Sequence, residues 1–358
     1  MKPKPEQNRC PRPLRRAAIA ALLMITLASC RSMGPKTIPP DGFNYNARIA
    51  LQQNEQLLLN IVRLRYAEVP LFLHVNSMIN QYSRTGAAGI SGTDLFNTPI
   101  GSGNLSGIWT DRPTITYTPM SGQAYTQSLL TPLPPQAVFF LIQSGWSPDR
   151  LLRLSASSIN GLKNEVSAPR LRRMADPGFT RLLTLMGNLK RDGALGLQIG
   201  GTEDEPTIDL FFPEQIAEDS IRDAVDEFKQ LLRLDPDQNN FPIRYGLIRE
   251  GPDEIVVQTH SMLEILLHTS WYMDVPPEHI AEGRTGSTFL AEGEPLLRIS
   301  ASRSRPATEF VTINTRGHWY YIDDRDLNSK TVFAVIQVLL NLARDGDQAV
   351  APLISIGN

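Results

Sequence analysis

The sequence predicts an α+β fold of mixed, mostly antiparallel strands interleaved with single helices, with room for two subdomains. Three observations carry that expectation. Ile221, Val225, Phe228 and Leu232 recur at the spacing of one helix face. Near residues 296–302, 309–314 and 319–322, strand-like runs follow one another, the last two joined by Thr315-Arg316-Gly317-His318 as a hairpin turn. The chain has 358 residues but only two cysteines, Cys10 and Cys30, so a hydrophobic core and not disulfides must hold it together.

The N-terminal residues 1–29 read as a signal peptide. Lys2, Lys4, Arg9, Arg12, Arg15 and Arg16 stand against the single acid Glu6, and an uncharged, mostly apolar run follows from Ala17 to Leu27. That run falls well short of the roughly twenty residues a helix needs to cross a bilayer. It ends in Leu27-Ala28-Ser29-Cys30, which resembles the lipobox of bacterial lipoproteins. The resemblance implies cleavage between Ser29 and Cys30 and acylation of Cys30, the only covalent group expected, with no cofactor. Two or more acyl chains, each contributing about 0.8 kcal/mol per buried CH₂, anchor a protein stably. Arg31 after the cysteine, by the same family's sorting pattern, implies the outer membrane of a diderm cell, on its periplasmic face, or the plasma membrane of a monoderm one. Residues 30–43, with Gly34, Pro35, Pro39, Pro40 and Gly42, read as an extended tether.

Loss of residues 1–29 removes six basic residues and one acidic, leaving 29 basic and 36 acidic residues. A net negative chain without a basic stripe argues against a nucleic-acid partner. With Cys10 removed and Cys30 acylated, the exported domain has neither a thiolate nucleophile nor a cysteine metal ligand.

The mature chain then divides into an N-terminal region, 44–160, a basic, loop-rich linker at 161–176, a C-terminal region, 177–350, and a tail, 351–358. Leu57, Leu58, Ile61 and Leu64 mark a helix from Asn46 to Tyr66, ended by Pro70, with strands expected at Leu71–Val75 and Thr114–Thr118. The intervening 84–112, rich in glycine, reads as a long flexible loop; no lysine follows its glycines, so it is not a phosphate-cradling loop. Residues 121–145 read as two helices broken at Pro132, Pro134 and Pro135, and Leu151–Ile159 as a strand. Helices follow at 179–189, 221–232 and 261–272, with strands near 195–199, 207–212, 241–247 and 254–258. The closing helix, about Asn328–Ala343, is apolar almost all round and reads as buried, a partner-docking surface being the alternative.

The search for chemistry is mostly negative. Gly-x-Ser-x-Gly, Ser-x-x-Lys and His-Glu-x-x-His are absent. His260, Glu264 and His268 are spaced one helical turn apart and form the nearest approach to a metal constellation, with His279 downstream, although the outer pair lie about 12 Å apart along a helix axis. Asp323-Asp324-Arg325-Asp326 opens like a calcium loop, but the required glycine and terminal glutamate are missing, and helix capping by Asp326, Asn328 or Ser329 explains the cluster better. His318 near Asp323 and Asp324 is the candidate general base, without an evident nucleophile.

Three stretches, Asn54 to Tyr66, Ser158-Ile159-Asn160-Gly161-Leu162, and Tyr321 to Lys330, together resemble a family of proteobacterial lipoproteins to which no activity is assigned. The resemblance supports the compartment and implies no mechanism. The sequence therefore leads to a membrane-anchored envelope component that binds an envelope protein or assists assembly or export. The alternative is an envelope hydrolase, or a polysaccharide- or lipid-binding protein, with a dispersed acidic site marked by raised carboxyl pKa values.

Overall fold

Strands on both sides of the expected 161–176 linker join one sheet, so that passage is part of the fold and not a spacer. A computed structural model describes residues 38–95, 98–168, 171–201, 206–288, 295–344 and 353–357. The signal peptide, Ser29 and Cys30 lie outside the described residues. Two units divide the chain at Asn54 and Glu55. Of the first, only the opening of helix α1 (Ile38–Arg65) is described. The described part of the helix begins at Ile38, inside the expected tether of 30–43.

In the second unit, β1 (Leu73–Leu95) and β2 (Thr98–Pro119) form one antiparallel hairpin paired from Leu73↔Pro119 to Leu95↔Thr98. The expected loop at 84–112 is therefore strand. Glycine is depleted in strands, so its density there reads as loop unless the ladder partner is known. Helices α2 (Gln123–Leu130), α3 (Pro135–Gln143) and α4 (Pro148–Ser155) follow. The expected strand at 151–159 is helical as far as Ser155 and extended only in β3 (Ala156–Ile159). Pro148 opens that helix and Asp149 sits in its first turn, while Leu151, Leu152 and Leu154 are buried, and so short an apolar run fits either element until packing chooses.

Strands β4 (Leu162–Lys163), β5 (Val166–Ala168) and β6 (Leu171–Arg173) fill the supposed linker. Then come α5 (Pro177–Arg191), β7 (Gly196–Gly201), β8 (Pro206–Phe211), α6 (Asp219–Leu232), β9 (Asn240–Tyr245) and β10 (Ile255–Thr259). The main sheet runs β4-β3-β10-β9-β8-β7, antiparallel except for the β9–β10 pair. Helices α5 and α6 pack against each other and contribute Phe179, Leu182, Val225 and Phe228 to the core. Phe212, Phe228 and Phe241 meet edge to face, the arrangement their ring quadrupoles favour.

The chain closes with α7 (Met262–Ser270), α8 (Pro277–Ala281), β11 (Ser300–Ser302), β12 (Glu309–Thr315), β13 (His318–Asp323), α9 (Leu327–Arg344) and β14 (Leu353–Gly357). β11, β13 and β12 form a separate antiparallel sheet. The β12–β13 turn is the expected one, with Arg316 and Gly317 both at positive φ (55° and 79°), as a two-residue turn matching strand twist requires. Helix α9 buries Val332, Phe333, Val335, Ile336, Leu339 and Leu340 in the core. Residues 353–357 of the expected tail instead pair parallel with Ser77–Gln81 of β1.

Candidate functional site

A buried polar cluster gathers at the C-terminal end of α1. Arg65 is only 2% exposed; its guanidinium lies 4.0 Å above the Trp271 ring, and Nη2 donates to the Gly286 carbonyl at 2.9 Å. Thr285 Oγ1 donates to the Arg65 carbonyl at 2.8 Å. These contacts hold the helix end against the segment after α8, and so fix the next side chain, Tyr66.

Tyr66 Oη lies 2.7 Å from His279 Nδ1 and 2.8 Å from Tyr320 Oη. Burial, with the Arg284 and His318 charges nearby, holds His279 below its ordinary pKa, so the ring is neutral and Nδ1 can accept. Burial and the bond to Tyr66 push Tyr320 up, and burial pushes Tyr66 up against the opposing bond from Tyr320. Both phenols keep their protons, and the Tyr66 hydroxyl joins Tyr320 and His279 in one hydrogen-bonded chain.

His318 packs edge-on against His279 at 5.2 Å between ring centroids, and its Nε2 lies 3.3 Å from Glu278 Oε1. Arg303 Nη2 reaches the same oxygen at 3.0 Å. Hydrogen bonding from its own backbone N–H and from Arg303 lowers the Glu278 pKa. On the outer side, Arg316 lies 4.1 Å above the Tyr66 ring and pairs with Glu68. There a shallow cleft of about 470 Å³ opens between Arg63, Glu68, Asn314, Thr315 and Arg316.

The residues singled out in the sequence are dispersed. His318 belongs to this cluster, but its carboxylate is Glu278, whereas Asp323 stands at the other end of β13. Asp323 accepts from the Arg325 N–H at 2.8 Å, and Asp324 pairs with Lys330 at 3.0 Å. Asp326 caps α9 through the Ser329 N–H at 2.9 Å. His260, Glu264 and His268 also separate. His260 Nδ1 lies 3.6 Å from Glu264, whose carboxylate closes a capping box with Ser261 and, chiefly through His260, has its pKa lowered to about 2. His268 is buried, 3.8 Å from Glu165.

Glu165 is only 4% exposed and meets Arg153 at 3.2 Å. Burial alone raises its pKa, but His268 and the Arg153 charge outweigh it and leave the carboxylate below its ordinary value. Among the described residues no group of three histidines, cysteines or carboxylates is placed to hold a metal.

Sequence reasoning missed Tyr66, Tyr320 and Glu165, and placed His279 only as a neighbour of a metal candidate. Tyr66 and Tyr320 are 254 positions apart, beyond the reach of any spacing motif. The usable signal was an Arg-Tyr pair ending an apolar helix face, which has to be paired inside if it is buried. The assembled cluster presents neutral phenols and a neutral imidazole facing one another, an arrangement suited to joining α1, α8 and β13. No protein-family model, curated protein or solved structure matches this chain.

Proposed function

We propose that this chain is an envelope lipoprotein, acylated on Cys30 and held at the outer membrane facing the periplasm, or at the plasma membrane of a monoderm host. Its role is to bind an envelope protein or serve an assembly or export complex, not to turn over a substrate. The observation that carries the non-enzymatic reading is the state of its acids. A dispersed hydrolytic site needs a carboxyl held protonated by a raised pKa, whereas the clearly displaced carboxylates among the described residues, Glu165, Glu227, Glu264 and Glu278, all move downward. They are committed as ion-pair and cap partners. The lipobox and the charged, then apolar, N-terminus support the compartment.

The test is metabolic labelling with a clickable fatty acid, followed by crosslinking in intact cells and mass spectrometry, for the native chain and for Cys30→Ala. The expected result is acyl label on the native chain alone and a stoichiometric envelope partner whose yield falls without the anchor. An unlabelled native chain overturns the anchor, and an absence of any partner above background overturns the assembly role.

A further inference from the structure

The β1–β2 hairpin is far longer than a fold of this size needs. Its strands have 23 and 22 residues, on the order of 75 Å at about 3.4 Å per residue, against a usual five or six residues. Its distal half also changes character. Between Arg84 and Asp94 on β1, nine consecutive residues carry no charge, and the positions opposite them, Ile100 to Ile108, carry none either. A strand crossing a bilayer takes about 9–11 residues.

Within that window the residue types alternate with the register of the ladder. The pairs Gly86↔Gly107, Ala88↔Leu105, Ile90↔Gly103 and Gly92↔Gly101 fall on one face and include no polar residue. The pairs that alternate with them hold Ser91, Ser102, Asn104 and Ser106 at the centre and, at the two ends of the window, Thr85 and Thr93 opposite Ile108 and Ile100. Trp109 and, one step further out, Tyr82 share the apolar set by register and stand at the border of the window, next to Arg84 and Asp111. A period of two with one face free of polar residues and aromatics at one border matches the alternation of a membrane-spanning β-strand.

The edges decide what such a hairpin must do. In its sheet, β14 covers β1 only along Ser77–Gln81, and β2 has β1 as its one neighbour among the described residues. Unpaired backbone N–H and C=O groups are not tolerated in hydrocarbon, so a spanning hairpin must be closed by further strands. Two strands cannot close on themselves, and the smallest membrane barrels have about eight. Copies of this chain can supply matching edges, one hairpin each.

We propose that the distal half of the β1–β2 hairpin spans the membrane, apolar face to lipid, and closes edge to edge with the hairpins of other copies into an oligomeric β-barrel of at least about four chains. The proposal rests on the envelope-lipoprotein reading for its route to the membrane, but its test does not.

The full-length protein is purified in detergent, its mass measured by light scattering, and it is then returned to liposomes. Variants Ala88→Cys and Ile90→Cys on one face, and Ala87→Cys and Ser91→Cys on the other, carry an environment-sensitive fluorophore, with the signal of the native chain subtracted. The expected result is a closed oligomer in which labels at 88 and 90 lose most of their emission to a lipid-borne quencher, while those at 87 and 91 lose theirs to aqueous iodide. Iodide quenching at all four sites overturns membrane insertion. Alternating quenching in a chain that remains monomeric in detergent overturns closure by copies of itself. Acyl labelling of Cys30 is scored separately, so a labelled chain with an aqueous hairpin removes this inference alone, and an unlabelled one removes the anchor alone.

Discussion

The hydroxyl of Tyr66 stands 2.7 Å from Nδ1 of His279, a residue 213 positions further along the chain, and ties the end of the first helix to the interior of the C-terminal half. Because the same oxygen is shared with Tyr320, its removal leaves two buried polar groups without their common partner. Tyr66→Phe is expected to lower stability by about 1–3 kcal/mol in urea denaturation. The double variant with Tyr320→Phe should cost less than the sum of the singles, since both remove one bond. Strict additivity would mean that the two hydroxyls act independently.

The same histidine makes stability depend on pH. His279 titrates lower in the fold than its ordinary value of 6.5, so between the two values the unfolded chain binds the proton and the folded chain does not. Its contribution is complete above pH 6.5 and is lost as the pH falls toward the folded value. Melting temperature recorded from about pH 7.5 to about pH 5 should fall less steeply for His279→Gln, whose side chain does not titrate, than for the native chain. Parallel curves would place the acid sensitivity elsewhere.

Asn164 tests whether residues 161–176 are spacer or structure. Its side-chain amide donates to the carbonyls of Arg153 at 2.8 Å and Ala156 at 2.7 Å, and its oxygen accepts from the Glu165 N–H at 2.8 Å. Asn164→Ala strands these groups in a site where the residue is 1% exposed, and should cost about 2–3 kcal/mol by chemical denaturation. Lys163→Ala, one residue earlier and exposed, should stay within about 0.5 kcal/mol. Equal, small effects at both positions would return the segment to the status of a linker.

At the start of α7, Ser261 Oγ accepts from the Glu264 N–H at 3.3 Å, and the Glu264 carboxylate accepts from the Ser261 N–H at 2.8 Å. Ser261→Ala should cost about 1 kcal/mol, the usual loss of an N-cap. The Glu264 pKa of about 2 means that the carboxylate's contribution is present above its ordinary 4.5 and disappears as the pH falls toward 2. His260→Gln should move the Glu264 titration, followed by carboxyl NMR, upward toward the ordinary value. An unmoved titration would assign the shift to the cap alone.

How far the fold was legible depended on the range of the interaction behind each element. The helix carrying Val225, Phe228 and Leu232 was legible because a buried face repeats every 3.6 residues, within the helix itself. The Arg316-Gly317 turn was legible because positive φ at both positions limits which residues can stand there. Residues 151–159 were misread because a short apolar run satisfies two periods, and only burial of Leu151, Leu152 and Leu154 on a helical face resolves it. The passage at 84–112 was misread because glycine and serine carry little strand propensity of their own; pairing such as Gly86↔Gly107 makes them strand.

The site divides in the same way. His318 could be singled out as a titratable residue at a hairpin, and Asp326 as a helix cap, because both depend on neighbours a few residues away. That His318 faces Glu278 and not Asp323, that His268 meets Glu165 while Glu264 meets His260, and that Tyr66 joins His279 to Tyr320 were decided only by tertiary structure. By itself, the sequence determined the α+β class, the hairpin turn and the amphipathic helices, since each follows from local stereochemistry. Which buried polar groups face one another depends on packing across more than two hundred residues, and no local pattern encodes that distance.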